Sequence, residues 1–501
     1  MAFPHAEVDG ESRLAAENGV LQQFARVLVE LDLGRWLRAI RNAKGARNLI
    51  AALYRRGIMR TDRMRVLLIS TYEMGRQPFG LASPAAWLAA DGHEVACIDL
   101  CVAPLPDDKV LAADLVAFYL PMHTATRLAV KVIEKIRRLN STARLCCYGL
   151  YAPLNDAYLR ELGVETILGG EFEPGLAALA NGMGGAQREP LISLDRLQFM
   201  APLRSTLPVL EEYAHLRING TAKTAGYTEA SRGCKHLCRH CPVVPVYQGA
   251  FRVVQPDVVL EDIRRQVAAG AQHITFGDPD FFNGPTHAMR IVEALHREFP
   301  DVSYDTTIKI EHLRKHGDLL PRLKETGCLF VTSAVESVDD AVLEKLDKGH
   351  TRTDFVDVVR EFRSTGLTLA PTFIAFTPWT TRESYRELLE TLVELDLVEH
   401  VAPIQLALRL LIPRGSRLLE LDEIQSVVTG FDQPALLYRW KHPDAGVDGL
   451  AEQALKIAAQ KASRREIFRK MWDLVSEQPL PENFDLMPRA TIPYMDEPWY
   501  C

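Results

Sequence analysis

The residues best placed to do chemistry lie in Ser231-Arg-Gly-Cys234-Lys-His-Leu-Cys238-Arg-His-Cys241-Pro242, where three cysteines are spaced C-x3-C-x2-C. Just before them, Ala222 to Ala230 reads as a strand feeding a loop, so one short loop can aim three thiolates at a single point. Three thiolates hold three corners of a [4Fe–4S] cluster and leave the fourth iron without a protein ligand. An open iron is a place for a small molecule to bind. The competing chemistry is a zinc knuckle with His236 or His240 as fourth ligand. A closed zinc site takes four ligands, however, and no second cysteine pair lies nearby in the sequence.

The spacing, with His240 directly before the third cysteine, resembles the radical S-adenosylmethionine (SAM) superfamily. The resemblance implies that the open iron chelates the amino and carboxylate groups of SAM and that an electron from the cluster breaks a carbon–sulfur bond. Cys234, Cys238 and Cys241 are then the cluster ligands, and His240 packs near the adenine. Phe276-Gly277-Asp278-Pro-Asp280 stands where the superfamily has a Gly-Gly-Glu-like edge for the SAM amino group, with Gly277 and Asp278 in place of the glycine pair. A turn built on Asp and Pro explains the same residues. Lys309 and Glu311 after one strand, and Ser333 and Glu336 after the next, stand at the ribose and carboxylate positions; Ser333-Ala-Val-Glu336-Ser337 resembles the Gly-x-Glu-Ser phrase. Solvated strand ends carry such charges too. Arg409 could hold a carboxylate bidentately or form a structural ion pair. The stretch Tyr247-Gln-Gly249-Ala-Phe-Arg252 either lines the SAM pocket or simply connects.

The tail Ile492-Pro-Tyr-Met-Asp-Glu-Pro498-Trp-Tyr-Cys501 resembles the end of the CUAEP/CCAEP-tail radical SAM proteins, which close in Cys-Cys-Ala-Glu-Pro or Cys-Sec-Ala-Glu-Pro. Here the sequence stops at the first cysteine, which raises the expectation of a frame ended at a selenocysteine codon. A docked Cys501 thiol would be catalytic, binding a soft element or donating to the substrate. An incidental cysteine on a frayed end is the plain alternative.

The elements that must position these residues alternate strand and helix. Met64 to Thr71, Val95 to Leu100, Leu115 to Leu120 and Ala143 to Tyr148 are apolar runs of the kind that form buried parallel strands, with helices between them. This doubly wound Rossmann-like domain resembles the cobalamin-binding modules that precede many radical SAM cores. The matching phrases are Pro121-Met-His-Thr-Ala-Thr-Arg127, Gly149-Leu-Tyr151 and Gly169-Gly-Glu171-Phe-Glu173. The Asp-x-His-x-x-Gly pattern that supplies a cobalt ligand in some families is missing; Thr71-Tyr-Glu-Met-Gly75 stands there. Either cobalamin binds without that histidine or the domain keeps the fold and has lost the cofactor.

Strand-like runs then recur at His273–Phe276, Ser303–Ile308, Cys328–Thr332, Thr368–Phe376 and Gln405–Leu410, separated by helices. With the strand before the cysteines they make six βα units, which curl into a partial barrel, a (β/α)6 radical SAM barrel, with the site on its carboxyl-end loops. The expected organisation is α/β: 1–62 a helical extension, 63–182 the cobalamin-binding-like domain, 183–221 a linker, 222–413 the radical SAM core, and 414–501 a mixed, mainly helical region with Ala451 to Glu477 as one helix.

Among the 501 residues the formal net charge is −7, which offers no basic field for nucleic acid. Nine cysteines in no paired framework, no apolar run long enough to span a bilayer and no signal-like start point to a cytoplasmic protein without stable membrane insertion. The basic stretch from Arg35 to Arg60 could meet a membrane surface or acidic partner, but a helix capping the next domain explains it more simply. The expected activity is reductive cleavage of SAM that drives radical modification, such as methyl transfer, of a small-molecule substrate. An electron donor such as flavodoxin or ferredoxin is implied. The alternatives are transfer of the 3-amino-3-carboxypropyl group to a thiophilic acceptor such as trivalent arsenic, as in arsinothricin-type biosynthesis, and a cobalamin- or cluster-binding sensor without turnover.

Overall fold

Strands that are apolar without alternation need cover on both faces, and the first sheet obtains it. The computed structural model of the chain describes residues 63–183, 189–481, 484 and 492–496; the expected helical extension at 1–62 and Cys501 lie outside them. Six parallel strands, β1 (Arg65–Ser70), β2 (Glu94–Asp99), β3 (Leu115–Tyr119), β4 (Arg144–Tyr148), β5 (Thr166–Gly170) and β6 (Leu191–Ser193), are ordered β2-β1-β3-β4-β5-β6. Side chains alternate across the sheet. Leu67, Ile69, Val116 and Phe118 pack under Ile133 and Ile136 of helix His123–Leu139, whereas Val66, Leu68 and Ala117 face Leu81 and Leu88 of helix Phe79–Ala90 on the other side.

The second sheet begins with the antiparallel pair β7 (His215–Ile218) and β8 (Thr221–Thr228). The short antiparallel ribbon β9 (Ser231–Gly233) and β10 (Phe251–Val253) follows and brackets the three cysteines. Four further strands, β11 (His273–Phe276), β12 (Ser303–Thr307), β13 (Cys328–Glu336) and β14 (Thr368–Phe373), add in parallel to β8. The hairpin β15 (Val428–Asp432) and β16 (Leu437–Trp440) stands apart, and β17 (Tyr494–Met495) pairs antiparallel with β7, giving the order β14-β13-β12-β11-β8-β7-β17. The core under this sheet joins Ile274, Phe276, Tyr304, Val331 and Phe373 to Ile263, Val292, Val358 and Leu389 of the crossover helices.

Three expectations are corrected. The sixth barrel strand, Gln405–Leu410, is a 3-10 turn (Pro403–Leu406) followed by a single parallel bridge between Phe376 and Arg409. Pro403 cannot donate to a ladder, which leaves only the end of the run to pair. The stretch read as a linker supplies the edge strand β6 to the first sheet and β7, between β8 and β17, to the second. The single helix at Ala451 to Glu477 is two, Ala445–Ala458 and Arg464–Val475, because Ser463 and Glu466 form a capping box that starts the second.

The two sheets meet at Arg232 of β9, whose side chain is 7% exposed. Its guanidinium lies 2.7 Å from Glu229, 2.7 Å from Glu173 and 3.4 Å from Glu171, the last two beyond the end of β5. Phe79, Phe172 and Phe199 line its faces. Three carboxylates around one cation are held there by burial and geometry, so removing the cation leaves buried charge uncompensated. Arg232→Met is expected to cost ~3–5 kcal/mol, read as a lower urea midpoint. Burial raises the Glu171 carboxyl from 4.5 to about 7, against the pull of Arg232. A carboxyl raised in the folded chain contributes stability that is complete below the unfolded value and lost as pH rises through the folded one. Melting temperature should therefore decline from pH 4.5 to about 7, and Glu171→Gln should flatten that decline.

Candidate active site

The cysteine loop is built by its neighbours. Gly233 enters it with φ +74°, and a Cβ there would stand 2.5 Å from the Ala250 carbonyl, so only glycine fits this turn. Asn283, fully buried after β11, receives the Lys235 N–H at 3.1 Å and donates to the Gly233 carbonyl at 3.3 Å. The Cys241 N–H bonds the Cys238 carbonyl at 3.2 Å, closing the tight end of the loop. Arg239 donates to the Glu344 and Lys345 carbonyls, Ser416 to the Arg239 carbonyl and Arg417 to the Leu237 carbonyl.

None of the three thiols is in a disulfide. Burial pushes Cys234 up to about 11 and Cys241 up to about 12, and the neighbouring sulfur of Cys238 adds to both. Such thiols stay protonated until a metal displaces the protons. The donor set therefore fits a cluster: three sulfur ligands on one strapped loop, with His236 and His240 directed elsewhere.

His236 and His240 show how the loop reaches over the sheet. His240 Nε2 is 3.2 Å from Glu336 Oε1 at the end of β13, and Lys348 Nζ is 3.4 Å from the same oxygen. Burial alone would raise Glu336, but Lys348 and His240 outweigh it and hold the carboxyl at about 2. Glu336 has φ +71°, and the β13–β14 register shifts between Ala334 and Glu336. A bulge of this kind re-aims a side chain at a functional site. His236 Nδ1 lies 3.3 Å from Glu311 Oε2, which also accepts from Lys309 Nζ at 2.9 Å. Partial burial opposes the charge on Glu311, and the Lys309 hydrogen bond nevertheless keeps its carboxyl below the usual range.

Among the described residues, Thr306 Oγ1, Ser333 Oγ and His240 Nδ1 are buried without a hydrogen-bond partner, which native interiors rarely allow. Thr306 and Ser333 lie two residues on from Tyr304 and Val331, on the helix-covered face of the sheet, so only His240, on the cysteine loop, holds its unpartnered atom above the strand ends. Of the expected site residues, His240, Lys309, Glu311 and Glu336 are thus brought to one edge, while Ser333 faces the covering helices. Asp278 is occupied differently. Its oxygens accept the Ala230 N–H at 2.9 Å and the Ser231 hydroxyl at 2.5 Å, and burial lifts it to about 7 against those bonds. It clasps the strand that leads into the cysteine loop, while Gly277 lies against the Tyr227 hydroxyl, where a Cβ would be 1.9 Å away. Arg409 pairs with Asp448 at 2.8 Å and stacks 4.0 Å over Trp440, the ion-pair arrangement. Arg252 is likewise engaged, donating to the Leu194 carbonyl at 2.6 Å.

Sequence reasoning missed Lys348, Arg232, Glu73 and His312. No spacing signals them, because each acts on residues far away in the chain.

The phrases at the ends of β3, β4 and β5 converge on a cavity of about 190 Å3 between the sheets, bounded by Met122, Gly149, Gly170, Arg232 and Tyr247. Glu73, Arg76, Tyr119, Tyr227 and Glu229 also line it. Burial, reinforced by Glu229, raises Glu73 well above the usual carboxyl range, and its Oε2 has no partner among the described residues. Pockets for drug-sized ligands run ~300–1,000 Å3, so with the side chains as they stand this cavity does not fit a corrinoid. The rings of Tyr119 and Tyr227 fill the space over Gly80 and Gly277.

Residues 228–392 match the family model described as the Radical SAM superfamily. The hopanoid C-3 methylase of Methylococcus capsulatus is 26% identical over 208 residues, covering 42% of this chain and 39% of that protein. The chain thus spans about four tenths of that relative. The solved structure of the cobalamin-dependent SAM radical enzyme OxsB with aqua-cobalamin bound superposes with TM-score 0.63 at 15% identity, covering 78% of this chain and 66% of that one. The radical SAM methyltransferase TsrM from Kitasatospora setae, with tryptophan and a SAM analogue bound, gives 0.54 at 19% identity over 66% of this chain and 71% of its own. These two likenesses establish the fold, and the matched domain implies a [4Fe–4S] cluster and SAM. With its thiol loop set over the strand ends of a partial barrel, the chain carries a domain of the radical SAM superfamily at residues 228–392, preceded by a domain of cobalamin-binding-like fold.

Proposed function

We propose that this protein cleaves SAM reductively at a cluster held by Cys234, Cys238 and Cys241 and uses the cleavage for group transfer, such as methylation, to a small-molecule substrate. The observation that carries the reading is the strapped loop that sets three thiols, none in a disulfide, above the ends of β12 and β13. When bound, the cluster supplies the single electron that breaks a carbon–sulfur bond of SAM. The protein's own residues bind and orient. Lys309 and Lys348 offer cationic donors, and Glu336 offers an ionised acceptor between His240 and Lys348. Buried Phe276, Phe281 and Phe282 beneath the edge keep water out of it. No helix among the described residues is long and apolar enough to cross a membrane. A reduced cytoplasm and a flavodoxin- or ferredoxin-type electron donor suit this chemistry.

Anoxic protein, reconstituted with iron and sulfide and given SAM and dithionite, tests the reading. It should form 5′-deoxyadenosine and lose that activity when Cys238 becomes Ala. Methylthioadenosine would instead favour 3-amino-3-carboxypropyl transfer, and neither product would favour a sensor. Loss of a charge-assisted hydrogen bond costs ~1.5–3 kcal/mol, so Glu336→Gln should weaken SAM binding ~10-fold or more while the cluster absorbance is retained. Tyr119 and Tyr227 are two of the bulkiest side chains that line and narrow the cavity between the sheets. Retention of aquacobalamin after desalting, read by visible absorbance, should therefore be higher in Tyr227→Ala than in the natural sequence.

A further inference from the structure

Beside the cysteine loop, three side chains outside the cluster set face one another. His236 comes from the loop itself, Asp280 from the turn after β11, and His312 from helix Ile310–Lys315. One ligand atom from each can be chosen so that all lie within 4.8 Å of one another. Asp280 is 1% exposed and His312 8%, so water does not solvate them freely. We propose that His236, Asp280 and His312 form a mononuclear divalent-metal site next to the cluster loop.

The spacing of the donor atoms, together with two buried atoms that have no hydrogen-bond partner among the described residues, carries the inference. His236 Nδ1 lies 3.3 Å from Glu311 Oε2, while its Nε2 faces the other two side chains. His236 Nε2 stands 3.4 Å from His312 Nε2 and 3.7 Å from Asp280 Oδ2. Two imidazole nitrogens bound at ~2.0–2.1 Å to one tetrahedral ion are separated by ~3.3–3.4 Å. His312 Nδ1 is 2.6 Å from Asp280 Oδ2, yet neither atom has a directed hydrogen bond. His312 offers a single nitrogen to an ion, and its Nε2 has the spacing to His236 Nε2 that two ligating imidazoles require, with Asp280 Oδ2 as the third donor.

Charge agrees with a cation. Asp280 and Glu311 carry two formal negatives against the single positive of Lys309, whose Nζ bonds Glu311 at 2.9 Å. Glu311 stands 3.3 Å from the far nitrogen of His236, the place where a carboxylate commonly accompanies a ligating histidine. Two histidines and one carboxylate suit Zn2+, Co2+ or Fe2+ and leave coordination positions open. This inference does not rest on the proposed reaction, since none of its ligands is a cluster cysteine.

The test uses full-length anoxic protein with its cluster reconstituted and loose metal removed, titrated with Co2+ and separately with Zn2+. The expected result is one equivalent per chain beyond the cluster iron, visible ligand-field absorption for Co2+, and an X-ray absorption shell of nitrogen and oxygen only. His312→Ala and Asp280→Asn should each weaken binding ~100-fold while the cluster absorbance persists. Two variants are used so that a folding failure in one leaves the other decisive. A sulfur-containing shell, no bound equivalent, or unchanged affinity in both variants would overturn the site.

Discussion

The arrangement depends on Arg232. It sits two residues before the first cluster cysteine, inside a cage of Glu171, Glu173 and Glu229, with aromatic rings on its faces. A buried ion set is costly to assemble and worse to break, so the cage fixes where the cysteine loop begins relative to the first sheet. Glu173 is in turn bound by Ser83 at 2.6 Å and Glu171 by the Tyr247 hydroxyl at 3.1 Å. The cage therefore ties helix Phe79–Ala90, the end of β5 and both flanks of the loop into one polar joint.

From that joint the loop extends over the second sheet and is held down wherever it meets a strand end. Asp278 clasps its entry, Asn283 its first turn, Glu336 its His240, and Arg239 grips the end of helix Asp340–Leu346. The result is a rigid thiol loop beside groups with displaced protonation. Cys234 and Cys241 are raised by burial, Glu336 is lowered by paired cations, and Glu73 and Glu171 are raised across the joint. Buried charge of both signs beside a redox-active cluster is how a fold sets local potential and ligand orientation without moving its backbone.

Much of this was legible in the chain. The runs at Met64–Thr71 and Leu115–Leu120 read as buried strands because each face of the first sheet is covered, and β1 and β3 lie there. Lys309, Ser333 and Glu336 are singled out by resemblance to the superfamily's strand-end positions, and they lie near the ends of β12 and β13. The sixth strand failed because Leu406 to Leu410 is apolar for burial, not for pairing; Pro403 and the lone bridge at Arg409 limit the ladder. The supposed linker failed for the opposite reason. Its strands are three and four residues long, too short to show a period, and form only where a sheet edge is already waiting.

What the sequence determined by itself is the local chemistry: three thiols within eight residues, and alternating strands and helices that set them at a sheet's carboxyl edge. Covalent spacing is enough for that, because ligands on one loop cannot be far apart. The tertiary structure alone decided the partners. Arg232 meets Glu173 across 59 residues, His240 meets Glu336 across 96, and His236 meets His312 across 76. No periodicity encodes those distances. They follow from how two sheets and their helices bury apolar faces, which brings charged residues together only after the backbone has been packed.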